Sequence, residues 1–91
     1  MKDIMIFTRA NDPYCVQAAD WQRQLFLQHP EYEDLPIAVI DVEQRPDLAA
    51  QYPYSLLPTY YVGGKKVCEM PLKKERVAAV FEAAWSAPDL W

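Results

Sequence analysis

Two thiols and one imidazole, Cys15, Cys68 and His29, are the side chains best suited to nucleophilic or metal chemistry in this 91-residue chain. Cys15 closes the segment Phe7-Thr8-Arg9-Ala10-Asn11-Asp12-Pro13-Tyr14-Cys15 and follows a carboxylate by three residues. Asp is a strong helix N-cap, and Pro at the first helical position forfeits no hydrogen bond. Asp12-Pro13 therefore predicts a helix start, with Cys15 in the first turn. Unpaired backbone N–H groups and the helix dipole favour negative charge at such a site, which is where thiolate chemistry is usually found. Each residue also has a plainer role. Asp12 can cap the helix by accepting from the N–H of Tyr14 or Cys15, a contribution of about 1 kcal/mol, and capping is compatible with presenting a fixed anion to a partner. Cys15 can be a small buried helix residue rather than a slowly reactive thiol. Cys68, between Val67 and Glu69 in an alternating segment, reads as a core or edge thiol. A Cys15–Cys68 bridge would need Cα atoms within about 7 Å across different elements and is not expected. His29 stands at the end of the first helix, where it would complement the dipole. One His and two Cys are too few for a structural zinc site, so no metal is expected.

The elements that must position these groups follow from apolar periodicity. Ile4 to Phe7 is a short continuous apolar run, and Pro36-Ile37-Ala38-Val39-Ile40-Asp41-Val42 repeats it. Both suggest strands buried on two faces and joined in parallel through a helix. In that helix Tyr14, Ala18, Trp21 and Leu25, with Cys15, Ala19 and Phe26 one step round, form an apolar stripe that Pro30 ends near His29. Gln17, Asp20, Gln24 and Gln28 make its polar face. Pro46 to Tyr52 reads as a short helix, followed by a Tyr54-Ser55-Leu56-Leu57 loop. Thr59-Tyr60-Tyr61-Val62 is a strand by composition, and Gly63-Gly64 supplies the positive φ of a two-residue hairpin into Lys65 to Met70. Pro71 is expected to open the last helix, with Leu72, Val77, Val80, Phe81, Ala84 and Trp85 on its apolar face. Residues Ser86 to Trp91 read as a tail. The order β-α-β-α-β-β-α predicts an α/β fold with a four-stranded mixed sheet and helices on both faces.

Composition narrows the function classes. Apolar residues make up 52%, charged residues 24%, and the net charge is −4. That is enough core for one domain spanning 1–91 and too little charge for a disordered polyelectrolyte. With only Lys65-Lys66 and Lys73-Lys74 as basic pairs, neither nucleic acid nor an anionic membrane surface is an expected partner. The apolar run near Met1 is too short for a signal-peptide core or a membrane span, so a cytoplasmic location with reduced thiols is expected. Of the many aromatic residues, Tyr14 and Tyr54 are the candidates for a surface groove, while Trp21, Tyr52, Tyr60 and Tyr61 are expected in the core.

The segment ending at Cys15 resembles the active-site segment of glutaredoxins, in which a Thr and a short linker precede Cys-Pro-Tyr-Cys. Pro13, Tyr14 and Cys15 match in place, and Asp12 stands where the first cysteine would be. Leu57-Pro58-Thr59 resembles the cis-proline loop that faces the active site in the thioredoxin superfamily, and the likeness extends over roughly residues 2 to 85. It implies a thioredoxin fold, a cis Leu57–Pro58 peptide and descent from thiol-disulfide oxidoreductases. In that family the first cysteine attacks a disulfide and the second resolves the mixed disulfide. A carboxylate cannot form that intermediate, so dithiol exchange is expected to be impaired, leaving Cys15 a sluggish thiol with Asp12 beside it. The resemblance further implies that Arg9, Pro13, Tyr14, Leu57 and Pro58 bind substrate. Arg9 would hold a glutathione carboxylate or remain a solvated loop residue, and Leu57 would pair its backbone with an extended peptide. The glycine-rich, doubly acidic glutathione-binding stretch is not visible after the hairpin, where Cys68-Glu69-Met70-Pro71-Leu72-Lys73 stands instead. No cofactor is therefore expected beyond glutathione as a candidate ligand. The expected partner is a protein or small-molecule thiol or disulfide, and the alternative function is a non-catalytic peptide- or thiol-binding module.

Overall fold

The computed structural model describes residues 1–87. Positions 88–91 of the expected tail lie outside the described residues. The elements are β1 (Ile4–Thr8), α1 (Pro13–Gln28), β2 (Ile37–Asp41), α2 (Pro46–Ala49), β3 (Thr59–Val62), β4 (Lys65–Glu69) and α3 (Lys74–Ser86), with a 3-10 turn at Pro30–Asp34 between α1 and β2. The sheet order is β2-β1-β3-β4. β1 runs parallel to β2, while the β1–β3 and β3–β4 pairs are antiparallel. This is the expected α/β architecture, with β1 and β3 in the interior of the sheet and β2 and β4 at its edges.

Side-chain alternation sorts the strands between two apolar clusters. Ile4, Ile6, Tyr60, Val62 and Cys68 join Leu25 of α1 and Val77, Val80, Phe81 and Ala84 of α3. Phe7, Ile40, Val42 and Tyr61 join Ala49 and Leu57 in the second cluster, and Cys15, at the start of α1, belongs to it as well. The aromatic expectation holds for Tyr60 and Tyr61, both buried, and Trp21 packs against the first cluster. Tyr54 departs from it, because its ring stacks on Phe7 at 6.3 Å and packs against the second cluster rather than lining a groove.

The helix expected over Pro46 to Tyr52 is limited to Pro46–Ala49, and Ser86, expected in the tail, ends α3. Three further sequence expectations need correction. β2 is not buried on both faces: it is a sheet edge, with Val39 63% exposed, because β1 takes the centre and leaves β2 a single neighbour. β4 is not a regular alternation, since Tyr60 pairs with Cys68 and Tyr61 with Lys66, leaving Val67 as an extra bulged residue. Pro71 does not open α3. Met70 adopts φ 42 and turns the chain out of β4, Pro71 is buried in that turn, and Lys73 is still extended, so the helix starts at Lys74. Leu72 consequently lies outside the helix and is exposed.

Candidate functional site

The junction of β1 and α1 is built by two aspartates. Asp12 is the N-cap, extended at φ −74 and ψ 125, and its Oδ1 accepts from the N–H of Tyr14 at 2.9 Å and of Cys15 at 3.1 Å. The carboxylate thus occupies the first-turn donors that would otherwise stabilise a thiolate or an incoming anion. Asn11, just before it, has φ 66, the left-handed region that Asn tolerates better than most residues and that brings the chain round into the cap. Asp41, at the end of β2, accepts from Ala10 N–H at 3.2 Å and from Glu43 and Gln44 N–H at 2.8 and 3.2 Å. One side chain therefore fastens the β1–α1 loop to the β2–α2 loop.

Opposite them, the Leu57–Pro58 peptide is cis. The loop before it is held by Glu69, whose Oε2 accepts from Ser55 N–H at 2.6 Å and Leu56 N–H at 3.0 Å, with Lys66 Nζ 3.2 Å from its other oxygen. Those two backbone N–H groups, aided by Lys66, pull the Glu69 carboxyl down to about 2. The buried Thr59 hydroxyl donates to the Leu56 carbonyl. The N–H and C=O of Leu57, in contrast, have no hydrogen-bond partner among the described residues. They are the free edge of an otherwise pinned loop.

Not all of the expected site residues converge. Cys15 and Leu57 share the second apolar cluster, so the start of α1 and the cis-proline loop are packed together. Cys15 is 5% exposed and Tyr14 48% exposed, which leaves the thiol shielded and the phenol ring facing solvent. Arg9 lines an open groove of about 420 Å³ with Asn11, Cys15, Val39 and Arg45, on the β2 side of α1, and Leu57 and Pro58 are not among its walls. Pro13 lines an adjoining groove with Val16 and Arg23. Arg9 and the cis-proline loop thus flank the start of α1 without lining one groove.

Both cysteines are free and buried. Between their elements stands Tyr60, fully buried, whose hydroxyl donates to Gln22 Oε1 at 2.7 Å and ties β3 to α1. Burial pushes its phenol up, and the Cys68 and Cys15 thiols reinforce the shift. His29 is exposed, its Nδ1 3.6 Å from Glu31 and its ring 5.0 Å from that of Tyr32. Among the described residues no group of three or more His, Cys, Asp or Glu could hold a metal ion, and no helix is long and apolar enough to cross a membrane.

Asp41 and Glu69 are the supports of the candidate site that sequence reasoning missed. Asp41 carried a usable signal, since an Asp at a strand end often hydrogen-bonds the backbone two residues on. Glu69 had none, because its partners lie 13 and 14 residues earlier in the chain.

No family model matches the sequence, and no curated protein matches it. Among solved structures the chain is similar to the solution structure of oxidised thioredoxin from Plasmodium falciparum, with a TM-score of 0.70 at 16% identity. The match covers 94% of this chain and 82% of that one. The fold is thioredoxin-like.

Proposed function

We propose that this is a thioredoxin-fold protein of the glutaredoxin-like, thiol-disulfide redox type in which dithiol exchange is disabled at its first step. The observation that carries this is the cap: Asp12 fills the first-turn N–H groups of α1, three residues ahead of a Cys15 that is almost fully shielded. Exchange requires a thiolate to attack one sulfur of a disulfide and expel the other as thiolate, leaving a mixed disulfide. The second cysteine then displaces the first. Asp12 cannot form that sulfur–sulfur bond, and Cys15 is set back in the resolving position. In this reading Cys15 and Asp12 remain of the catalytic apparatus. Arg9, Pro13, Tyr14, Leu57 and Pro58 are the substrate-binding positions, and the substrate is a protein or small-molecule thiol or disulfide.

One observation favours a second reading, a non-catalytic peptide-binding module. The unpaired N–H and C=O of Leu57 sit on a loop that Glu69 holds in place, and strand-like pairing of a peptide there needs no nucleophile.

Insulin reduction with a dithiol reductant tests the first reading. The wild type is expected to stay near the uncatalysed rate, and Asp12→Cys to gain at least about 100-fold, since covalent catalysis would be restored. The double variant D12C/C15S is expected to lose most of that gain. Brisk reduction by the wild type, or no gain in D12C, would contradict it.

A further inference from the structure

The turn after β4 carries charge of the opposite sign to the molecule. The chain has a net charge of −4. Lys73, Lys74 and Arg76 nevertheless stand within one turn at the start of α3, and none of them has an ion-pair partner among the described residues. A groove of about 410 Å³ is lined by Lys73 and Arg76 together with Glu69, Met70, Pro71 and Leu72.

Neighbouring acids do not cancel these cations. Glu69, the one acid in the groove wall, has both carboxylate oxygens engaged, one by the N–H groups of Ser55 and Leu56 and the other by Lys66. Glu75 is exposed but does not line the groove, since one helical step of about 100° turns it away from Arg76. Residues 50–58 of the adjoining loop carry no charge, and residues 10–15 at the start of α1 contribute only Asp12. With Glu75 and Asp12 both counted, positive charge remains in excess.

This groove adjoins the unpaired backbone of Leu57. Met70 N–H donates to the Pro58 carbonyl at 2.8 Å, so the β3–β4 register, with Thr59 opposite Glu69, continues past the strand ends and brings Pro71 toward Leu57. A segment paired with the free N–H and C=O of Leu57 therefore lies within about 10 Å of the turn, two strand spacings, where long side chains from the two sides meet. Exposed leucines stand on the same path: Leu56, one residue before Leu57, and Leu72 in the groove wall.

We propose that the cis-proline loop and this basic groove together select an extended peptide segment bearing acidic side chains. Lys73 and Arg76 determine the specificity, and Leu56 and Leu72 take an apolar side chain between the acids. The proposal rests on the reading of Leu57 and Pro58 as substrate-binding positions and names the class of peptide they receive. No covalent step is involved, so a segment without cysteine binds as well. The cations are exposed and screened by salt, so the selectivity is modest and electrostatic.

An NMR titration of the isotopically labelled chain at low ionic strength tests this with two short, blocked, cysteine-free peptides. One has glutamates flanking a central leucine, and the other has lysines in their place. The glutamate peptide is expected to shift the Leu57 amide and to bind at least about fivefold tighter than the lysine peptide. That advantage should shrink as salt is raised to ~0.15 M. The double variant Lys73→Glu/Arg76→Glu, at two exposed positions, is expected to invert the preference. Lys65→Glu, exposed at the far end of β4, should leave it in place. Equal binding of both peptides at Leu57 overturns the proposal and leaves the peptide-binding reading standing, whereas no response to either peptide overturns both. A preference that survives K73E/R76E also overturns the proposal.

Discussion

Position 12 carries a carboxylate that does structural work of its own. It accepts from two backbone donors at the start of α1, and a side chain without an acceptor there would leave both unpaired. Asp12→Ala is expected to cost about 1 kcal/mol, lowering the thermal midpoint by roughly 4–8 °C in a chain of this size. Asp12→Asn keeps an acceptor oxygen and should remain close to wild type. Calorimetry of the three proteins side by side checks this ordering, and equal midpoints for all three would mean that the cap contributes nothing. This residue was legible from sequence because capping is local: the donors lie two and three residues downstream, and Pro13 marks the first turn. The mutual placement of Arg9 and the cis-proline loop was not legible. It depends on which side of α1 each loop reaches, and no local pattern encodes that.

At the scale of elements, the loop before Pro58 depends on Glu69. Its carboxyl is held near 2, below its ordinary value of 4.5, by the N–H groups of Ser55 and Leu56. A group lowered in the folded state contributes stability that is present above its unfolded value and is lost as pH falls through the folded one. The loop is accordingly expected to hold its geometry at neutral pH and through mild acid, and to loosen as pH falls from the ordinary carboxylate range toward about 2. Amide exchange at Ser55 and Leu56 reports this directly. Glu69→Ala should raise exchange at both amides already at neutral pH and cost roughly 1 kcal/mol. Protection that ignores both pH and the substitution would contradict the assignment. The hairpin beside this loop was readable, since Gly63 and Gly64 adopt φ 58 and 81 as the turn requires. The start of α3 was not. Pro71 has the composition of a helix opener, but Met70 turns the chain first and buries the proline.

Over the molecule as a whole, the fold was legible because its apolar runs and stripes have different periods, and each period names an element. The order of strands in the sheet was harder to read. β2 has as apolar a sequence as β1, yet it lies at the edge while β1 lies in the centre. Apolar runs show which segments can be buried and leave open how many neighbours each will have. The larger core is concentrated at Phe81, fully buried, with ring contacts to Phe26 at 5.5 Å and Tyr32 at 5.8 Å. Phe81→Ala is expected to cost about 3–5 kcal/mol, a large share of the 5–15 kcal/mol that holds a domain of this kind together. Urea unfolding that shows a loss below about 1 kcal/mol would mean that the rings repack around the gap.

In the proposed function, position 12 is the seat of a thiol that would pair with Cys15. The most direct measurement is a thiol count on Asp12→Cys after mild oxidation, by alkylation under denaturing conditions and mass spectrometry. An intramolecular disulfide between position 12 and Cys15 is predicted, with Cys68 alone left to alkylate. Three alkylated thiols in the oxidised variant, or a bond to Cys68 instead, would contradict it.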